Sequence, residues 1–108
     1  MASDFENIVI DERKAFLILK SFAGKNVYVK SIVNILADDG YSLDEIFSIY
    51  TPFKVDSIEI GKSYIYIYHS NDRIILNIRN VKSYEETPKG IKIILEKENV
   101  YHDIYFEI

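Results

Sequence analysis

The stretch Lys62-Ser63-Tyr64-Ile65-Tyr66-Ile67-Tyr68 alternates aromatic and aliphatic side chains without interruption from Tyr64 onward. Successive side chains of a β-strand point to opposite faces of its sheet, so this spacing places Tyr on one face and Ile on the other. The next residues, His69-Ser70-Asn71-Asp72, have the composition of a tight turn. The sequence therefore predicts a strand that opens an antiparallel hairpin.

The same two-residue period continues towards the C-terminus. Strand-like segments run from Arg73 to Val81, from Ile91 to Leu95 and from Val100 to Ile108, with a break at Thr87-Pro88-Lys89-Gly90. Residues 55–60 predict a shorter strand, in which a change of phase near Asp56 and Ser57 is typical of a bulge. We therefore predict four or five antiparallel strands, connected as a meander.

The N-terminal part of the chain shows a helical period instead. Ser3 and Glu6 have the spacing of a capping box, and the apolar residues that follow predict one amphipathic helix over about 4–23. An alternative interpretation makes residues 7–10 a short strand that precedes a capped helix over residues 12–22.

Two further helices are predicted before the sheet. Apolar residues at i, i+3, i+4 and i+7 favour a helix that starts at Asn26 and ends at Gly40. In the segment that follows, Ser42 and Glu45 have capping-box spacing, and Tyr41 and Ile46 occupy the positions of a hydrophobic staple. These local signals predict a third helix over residues 43–50, with Leu43, Ile46, Phe47 and Tyr50 as its buried stripe.

The predicted helices and the predicted sheet complement each other. An antiparallel sheet of this size has an apolar face that needs a cover, and the apolar stripes of three helices would supply one. Neither half is large enough to be comfortably stable alone. We therefore expect an α+β fold with one domain over residues 1–108, in which a three-helix segment (1–52) packs in two layers on the antiparallel sheet (53–108).

The composition excludes several kinds of site. The chain has 108 residues and no cysteine, which excludes disulfides, thiolate zinc sites and cysteine nucleophiles. No apolar run approaches the ~20 residues that span a bilayer, and the acidic N-terminus lacks the basic region of a signal peptide. We therefore expect a cytoplasmic protein. Ile outnumbers Leu by 19 to 6, and Lys, Asn and Tyr are also abundant, which suggests the AT-rich coding of a low-GC microbe or its virus.

The helix pair predicted before the sheet resembles a helix-turn-helix, with the following strands as a wing. The charge pattern argues against DNA reading, because residues 37–52 contain no Lys or Arg but four carboxylates. The formal net charge of −4 also provides no field that would attract phosphates. A nucleic-acid-binding regulator of the winged-helix kind is therefore the less favoured function.

No catalytic or metal-binding pattern is visible in the sequence. His69 lies in a predicted turn, and His102 and Asp103 are neighbours on a strand, so their side chains point to opposite faces. Paired carboxylates fall at predicted helix ends or in loops, where solvent or the helix dipole accounts for them. We therefore expect no enzymatic activity, no cofactor and no metal site.

Five tyrosines form the candidate binding site. If the strands form a meander, Tyr64, Tyr66, Tyr68, Tyr101 and Tyr105 could share the sheet face opposite the Ile side chains. An exposed aromatic face can be the centre of a protein interface or can stack single-stranded bases, and the acidic chain favours the protein. The alternative is that these rings have only a packing role, either under the helices or in cross-strand pairs.

We therefore expect a small non-enzymatic protein that binds another protein, such as an inhibitor, an immunity-type factor or an accessory regulator. Its partner is expected to present a basic or apolar patch, whereas neither nucleic acid nor a membrane is expected to be a partner. A homodimer is the open alternative, formed through an uncovered sheet edge such as the C-terminal strand that ends at Ile108.

Overall fold

The computed structural model describes residues 7–108, and within that range the chain is mostly β-strand. Its strands are β1 (Ile8–Ile10), β2 (Asn26–Leu36), β3 (Leu43–Lys54), β4 (Ser57–Ile60), β5 (Tyr64–His69), β6 (Asp72–Asn77), β7 (Val81–Thr87), β8 (Gly90–Lys97) and β9 (Val100–Glu107). One α-helix, α1, spans Glu12–Ser21, and a 3₁₀ turn spans Ile78–Asn80. Among these described residues, no helix has the length and apolar composition needed to cross a bilayer.

The strands form two antiparallel sheets. The larger sheet has the order β1-β7-β8-β9-β2-β3, and the smaller sheet has the order β4-β5-β6. Two meanders, β4–β6 and β7–β9, are present, and β9 pairs with β2 to attach the β2–β3 hairpin to the second of them. The predicted antiparallel sheet is therefore confirmed, but it contains more strands than expected and is divided in two.

One buried apolar cluster joins α1 to both sheets. Leu19 of α1, Ile65 and Ile67 of β5, and Ile91 and Ile93 of β8 belong to it, each at most 1% exposed. The smaller sheet thus turns its Ile face towards the core and its Tyr face away. We call the face of the larger sheet that contacts this core its inner face.

The predicted three-helix segment is wrong, because α1 is the only α-helix in residues 7–108. Its cap is Asp11, whose carboxylate accepts a hydrogen bond from the Lys14 N–H at 2.8 Å. Residues 8–10 form β1, which pairs with β7, so the strand-then-helix alternative is the one observed. The capping box predicted at Ser3 and Glu6 lies outside the described residues.

The segments predicted as the second and third helices are strands β2 and β3. Both segments are rich in Val, Ile, Phe and Tyr, whose branched or aromatic side chains suit a pleated sheet better than a helix. Ser42 caps no helix; instead, its N–H and its hydroxyl both donate to the Asp39 carboxylate in the β2–β3 loop. With these helices absent, the α+β arrangement and the helix-turn-helix interpretation both fail.

The predictions for the C-terminal half are closer to the structure. The turn after β5 is confirmed, and the Ser70 N–H in it donates to the Asp56 carboxylate at 2.7 Å. The change of phase near Asp56 marks the passage from β3 to β4, and therefore from one sheet to the other. β7 was not predicted. The C-terminal strand, β9, lies between β8 and β2, so it is an interior strand and not the uncovered edge expected from the sequence.

Candidate functional site

The five candidate tyrosines lie on two different surfaces. Tyr64, Tyr66 and Tyr68 alternate with the buried Ile of β5 and line the outer face of the smaller sheet. Tyr101 and Tyr105 alternate with the inward-facing residues of β9 and line the outer face of the larger sheet. Each set lies opposite the apolar face of its own strand, as the spacing predicted. The core separates the sets, so the structure does not bring the five together.

Tyr64, Tyr66 and Tyr68 form a row of neighbouring rings. The centroid distances along the row are 6.1 and 6.0 Å, and the rings of Tyr66 and Tyr68 are within 12° of parallel. Tyr64 is 42% exposed, and the other two are partly exposed. We call these three residues the tyrosine row; it is an aromatic surface that a partner could reach.

Lysines cover the other two tyrosines. The Nζ atoms of Lys30 and Lys92 lie 5.5 and 5.3 Å from the ring centroid of Tyr105. The Nζ atom of Lys82 lies 5.6 Å from that of Tyr101. Burial acts to lower the pKa of Lys92, but the hydroxyl of Tyr105 and nearby carboxylates raise it above its ordinary value, so Lys92 stays charged. This alternation of Lys and Tyr is typical of a sheet face that meets solvent.

A larger apolar surface lies on β3. Every residue from Leu43 to Tyr50 is exposed, although most of them are large and apolar. The five apolar members are 47% to 66% exposed, and they are Leu43, Ile46, Phe47, Ile49 and Tyr50. The facing part of β2, residues 32–36, is only partly buried, and neither segment contributes to the buried cluster. We call residues 32–50 the distal hairpin, because this part of the hairpin extends past the core.

The distal hairpin carries apolar side chains on both faces. Phe47 and Ile49 pair with Val33 and Ser31, on the inner face of the larger sheet. Tyr50 lies on the outer face and stacks on Tyr28, with a centroid distance of 5.6 Å and an interplanar angle of 6°. An antiparallel sheet that meets solvent on one side alternates polar and apolar residues. Apolar side chains on both faces are instead typical of a strand that another surface covers.

The tip of the distal hairpin is acidic. Asp38, Asp39, Asp44 and Glu45 lie in or beside the loop, and the sequence has no Lys or Arg between residues 31 and 53. The hydroxyl of Ser42 and the N–H groups of Ser42 and Tyr41 donate to Asp39, and these bonds lower its pKa to about 2. The apolar surface therefore ends at a negatively charged tip.

A cleft of about 280 Å³ lies between β6 and the β8–β9 turn. His102 lines this cleft, and its Nε2 atom lies 2.5 Å from the Ser31 Oγ atom. Burial lowers the pKa of His102, and the ring shares a hydrogen bond with the Ser31 hydroxyl. A Ser–His nucleophile also needs a carboxylate to orient the ring, and Asp103 lies on the opposite face of β9. The pair therefore supports the fold better than it supports catalysis.

The two histidines do not converge, since His69 ends β5 in the smaller sheet and His102 lies in β9 of the larger one. Within residues 7–108, no group of three or more His, Asp or Glu side chains is arranged to hold a metal ion. Comparisons of the chain with protein-family models, curated proteins and solved structures found no match. The chemistry of the surfaces is therefore the basis for a functional interpretation.

Sequence reasoning missed the distal hairpin because it assigned Leu43, Ile46, Phe47 and Tyr50 to the buried stripe of a helix. A signal for the alternative was present in the same residues. Leu43 to Tyr50 combines strand-favouring residues with apolar side chains at both odd and even positions, and it contains no Lys. This pattern is equally consistent with a strand that is apolar on both faces.

Proposed function

We propose that this protein acts by binding another protein through the distal hairpin, as a small non-enzymatic inhibitor, immunity-type factor or accessory regulator. The observation that carries the proposal is the exposure of five large apolar side chains within eight residues of β3. Isolated surface hydrophobic residues are ordinary, whereas a contiguous set on a strand that extends past the core is typical of an interface.

The size of this surface supports the proposal. The five side chains are on average a little over half exposed. At about 200 Å² for a fully exposed large residue, they offer roughly 500 Å². That total, which is divided between the two faces of the hairpin, lies within the ~300–600 Å² of the largest apolar patch on a typical monomer, a patch that is often functional. It is somewhat over half of the ~800 Å² that each partner contributes to a standard protein interface.

The charge around the surface suggests the chemistry of the partner. The hairpin tip carries Asp38, Asp39, Asp44 and Glu45, and the sequence has no Lys or Arg between residues 31 and 53. Opposite charges at the rim of an interface accelerate association and reject partners of like charge. We therefore expect the partner to present an apolar patch flanked by basic residues, with the cytoplasm as the expected compartment.

The tyrosine row is a second surface that could serve the same function. Tyr66 and Tyr68 are stacked and partly buried, and only Tyr64 is exposed, so the row offers less apolar area than β3 does. The two surfaces differ in the residues on which binding depends. Variants of each therefore distinguish them.

Affinity purification from the native host with quantitative mass spectrometry tests the proposal. The baits are the wild type, a Phe47→Ser/Ile49→Ser variant and a Tyr66→Ala/Tyr68→Ala variant. Leu17→Ser is the matched control, because Leu17 is an apolar residue of α1 that is 63% exposed. We expect the hairpin variant to lose the partner by about tenfold or more, while the control retains it.

The purified partner then allows a direct measurement. Titration calorimetry should show weaker binding as the salt concentration rises, because salt screens the acidic tip. A hairpin variant that is folded and retrieves the same partner as the wild type does would contradict the proposal. If only the tyrosine variant loses the partner, the binding surface is the tyrosine row and not the distal hairpin.

A further inference from the structure

Among residues 7–108, no strand pairs with the outer edge of β3, and this edge points to a more specific way of binding. We propose that the partner contributes an extended strand, which pairs with the free edge of β3 around Ser48 and Tyr50 and continues the larger sheet. This inference rests on the proposed function and deepens it by naming the class of ligand. The ligand is an extended segment of another protein with apolar side chains on alternate residues and Lys or Arg near one end.

The hydrogen-bond pattern shows which groups of β3 are free. The N–H of Leu36 donates to the carbonyl of Asn99 at 3.0 Å, on the β9 side of β2. The backbone N–H and C=O groups of successive residues in a strand point to opposite edges of that strand. Ile32 and Lys30 lie an even number of positions from Leu36, so their backbone groups also point towards β9. Their partners on β3 are Ser48 and Tyr50. The backbone N–H and C=O groups of these two residues therefore face the free edge.

Pro52 gives independent support for this direction. Pro52 lies two positions after Tyr50, so its backbone nitrogen points to the same edge as those of Ser48 and Tyr50. It lies opposite Tyr28 of β2, and the strand pairing continues there although proline has no N–H. A proline is accepted within a strand when its nitrogen faces the open edge. It also ends the region that can accept a new strand, because it offers no donor there.

The sheets have other edges, and these are poorer places for a strand to add. β1 has 3 residues and β4 has 4, which are short for stable pairing. β6 has 6 residues and ends directly in the 3₁₀ turn. β3 has 12 residues, and no Lys or Pro interrupts it before Pro52. Natural edge strands are usually protected by such residues, by other charges or by bulges. In β3 the charges of Asp44 and Glu45 and the bulge at Ile46 lie near the tip, and none of these devices lies between Phe47 and Thr51.

The side chains beside the free edge define what the added strand must contain. Phe47 and Ile49 flank it on the inner face and Tyr50 on the outer face. Alternate apolar residues in the ligand would cover them, as cross-strand pairs do. Asp44 and Glu45 lie towards the tip, so a Lys or Arg at that end of the ligand completes the match.

A second copy of this chain fits the edge less well. Antiparallel self-pairing about Ser48 would set Tyr50 and Pro52 of each copy against the bulge at Ile46 and the residues before it in the other. Pro52 has no N–H for that ladder. A strand from a different protein avoids this loss, and this is why we assign the edge to a different protein.

The test uses a random peptide library displayed on phage and selected against the whole protein. We expect enriched peptides with alternate apolar residues and at least one Lys or Arg. Fluorescence anisotropy then compares a selected peptide on the wild type, on Ser48→Pro and on the matched control Ser48→Ala. Ser48→Pro removes an outward N–H without touching the β2–β3 ladder, so we expect binding to weaken by about tenfold or more. Ser48→Ala should bind like the wild type.

Backbone N-methylation of the peptide supplies a second readout that does not depend on folding of a variant. In strand addition only every second amide of the ligand faces β3. Methylation of one alternate set should therefore abolish binding, and methylation of the other set should leave it unchanged. Equal tolerance of both sets, equal affinity for a folded Ser48→Pro variant, or no enriched peptide would overturn the inference.

These outcomes are distinguishable from failure of the proposed function. If the Phe47→Ser/Ile49→Ser variant loses the native partner while Ser48→Pro retains it, the partner docks on side chains and the strand-addition inference fails alone. A dimer of the wild type in light scattering that Ser48→Pro converts to a monomer would also overturn it, because the strand would then come from a second copy.

Discussion

Gly90 lies at the start of β8, where two strands approach closely. A β-carbon built on it would lie 2.0 Å from the carbonyl oxygen of Phe106 and 3.1 Å from the Cα atom of Glu107. Both are backbone atoms of β9, so no side-chain rotation relieves the clash. We expect Gly90→Ala to lower the free energy of unfolding by about 3 kcal/mol, the cost typical of overpacking. Urea denaturation followed by circular dichroism measures it.

The control for this substitution is Gly61→Ala. Its β-carbon would meet one atom within 4 Å, the carbonyl oxygen of Tyr64 at 3.6 Å, which is ordinary contact. We expect a change within about 0.5 kcal/mol. Equal destabilisation by the two substitutions would show that the close approach at Gly90 is unimportant.

Tyr84 buries a hydroxyl group that has no hydrogen-bond partner among residues 7–108. Burial, with a contribution from Glu12, raises the pKa of Tyr84 to about 12. Removing an unpaired buried hydroxyl is neutral or favourable, so Tyr84→Phe should keep or increase stability, by up to about 1 kcal/mol. Spectrophotometric titration should also lose one high-pKa tyrosine. Clear destabilisation by the variant would mean that this hydroxyl has a partner after all.

His102 makes the stability depend on pH. Burial lowers its folded-state pKa below the ordinary value of 6.5, despite the opposing charge of Asp103. Between these two pKa values the unfolded chain binds the proton more readily than the folded chain does. The contribution of His102 is therefore fully present above pH 6.5 and falls as the pH decreases towards the folded-state pKa.

The variant His102→Gln isolates this effect. Urea denaturation at about pH 7.5 and about pH 5.5 should show a smaller loss of stability in the variant than in the wild type, since Gln does not titrate in this range. Carboxylates titrate in both proteins and cancel in the comparison. An identical loss in both proteins would contradict the assignment.

At the scale of elements, the sequence predicted β5, β8 and β9, whose two faces differ, but not β2, although Val27 and Val29 alternate there with exposed residues. β5, β8 and β9 each bury one alternate set of side chains, so the two-residue period is visible in the sequence. The distal hairpin has apolar residues on both faces, and some of them fall at i, i+3, i+4 and i+7 by coincidence. The capping signal at Ser42 and Glu45 added to the error, because a turn that Asp39 organises uses the same residue types.

The distal hairpin should also be the least protected element of the larger sheet. It contributes no residue to the buried cluster, whereas β8 and β9 contribute several. In amide hydrogen exchange followed by NMR, we expect Ser48 and Tyr50 to exchange faster than Ile93 and Ile104 by a factor on the order of 100 or more. Binding of a partner strand should slow these two amides. Protection of Ser48 and Tyr50 in the free protein equal to that of Ile93 would show that their N–H groups do not face an open edge.

At the scale of the whole molecule, local sequence patterns do not show which strands pair when those strands are far apart along the chain. β2 pairs with β9, about seventy positions away along the chain, and β1 pairs with β7. These long-range pairs override local helical signals, because each adds hydrogen bonds and side-chain contacts that no local pattern contains. The tyrosine spacing was read correctly within each strand, but the division into two sheets, which separates the tyrosines, has no local signature.

The shared core leads to a prediction for the molecule as a unit. Ile65 of the smaller sheet and Ile93 of the larger sheet are both fully buried in one cluster. Because neither sheet has a core of its own, the single domain predicted from the sequence should unfold in one cooperative transition. Ile65→Ala and Ile93→Ala should each lower the midpoint of that transition, at a cost of about 2–5 kcal/mol.

Denaturation followed by both far-ultraviolet circular dichroism and tyrosine fluorescence measures the cooperativity, with the exposed Ile75→Ala as control. We expect the two probes to report coincident transitions. Either core substitution should shift both transitions alike, because removing contacts on one side of a shared core weakens both sheets, whereas the control should shift them little. A variant that shifts one probe and not the other would show that the sheets unfold separately. The β2–β3 hairpin would then belong to a unit that is stable without the smaller sheet.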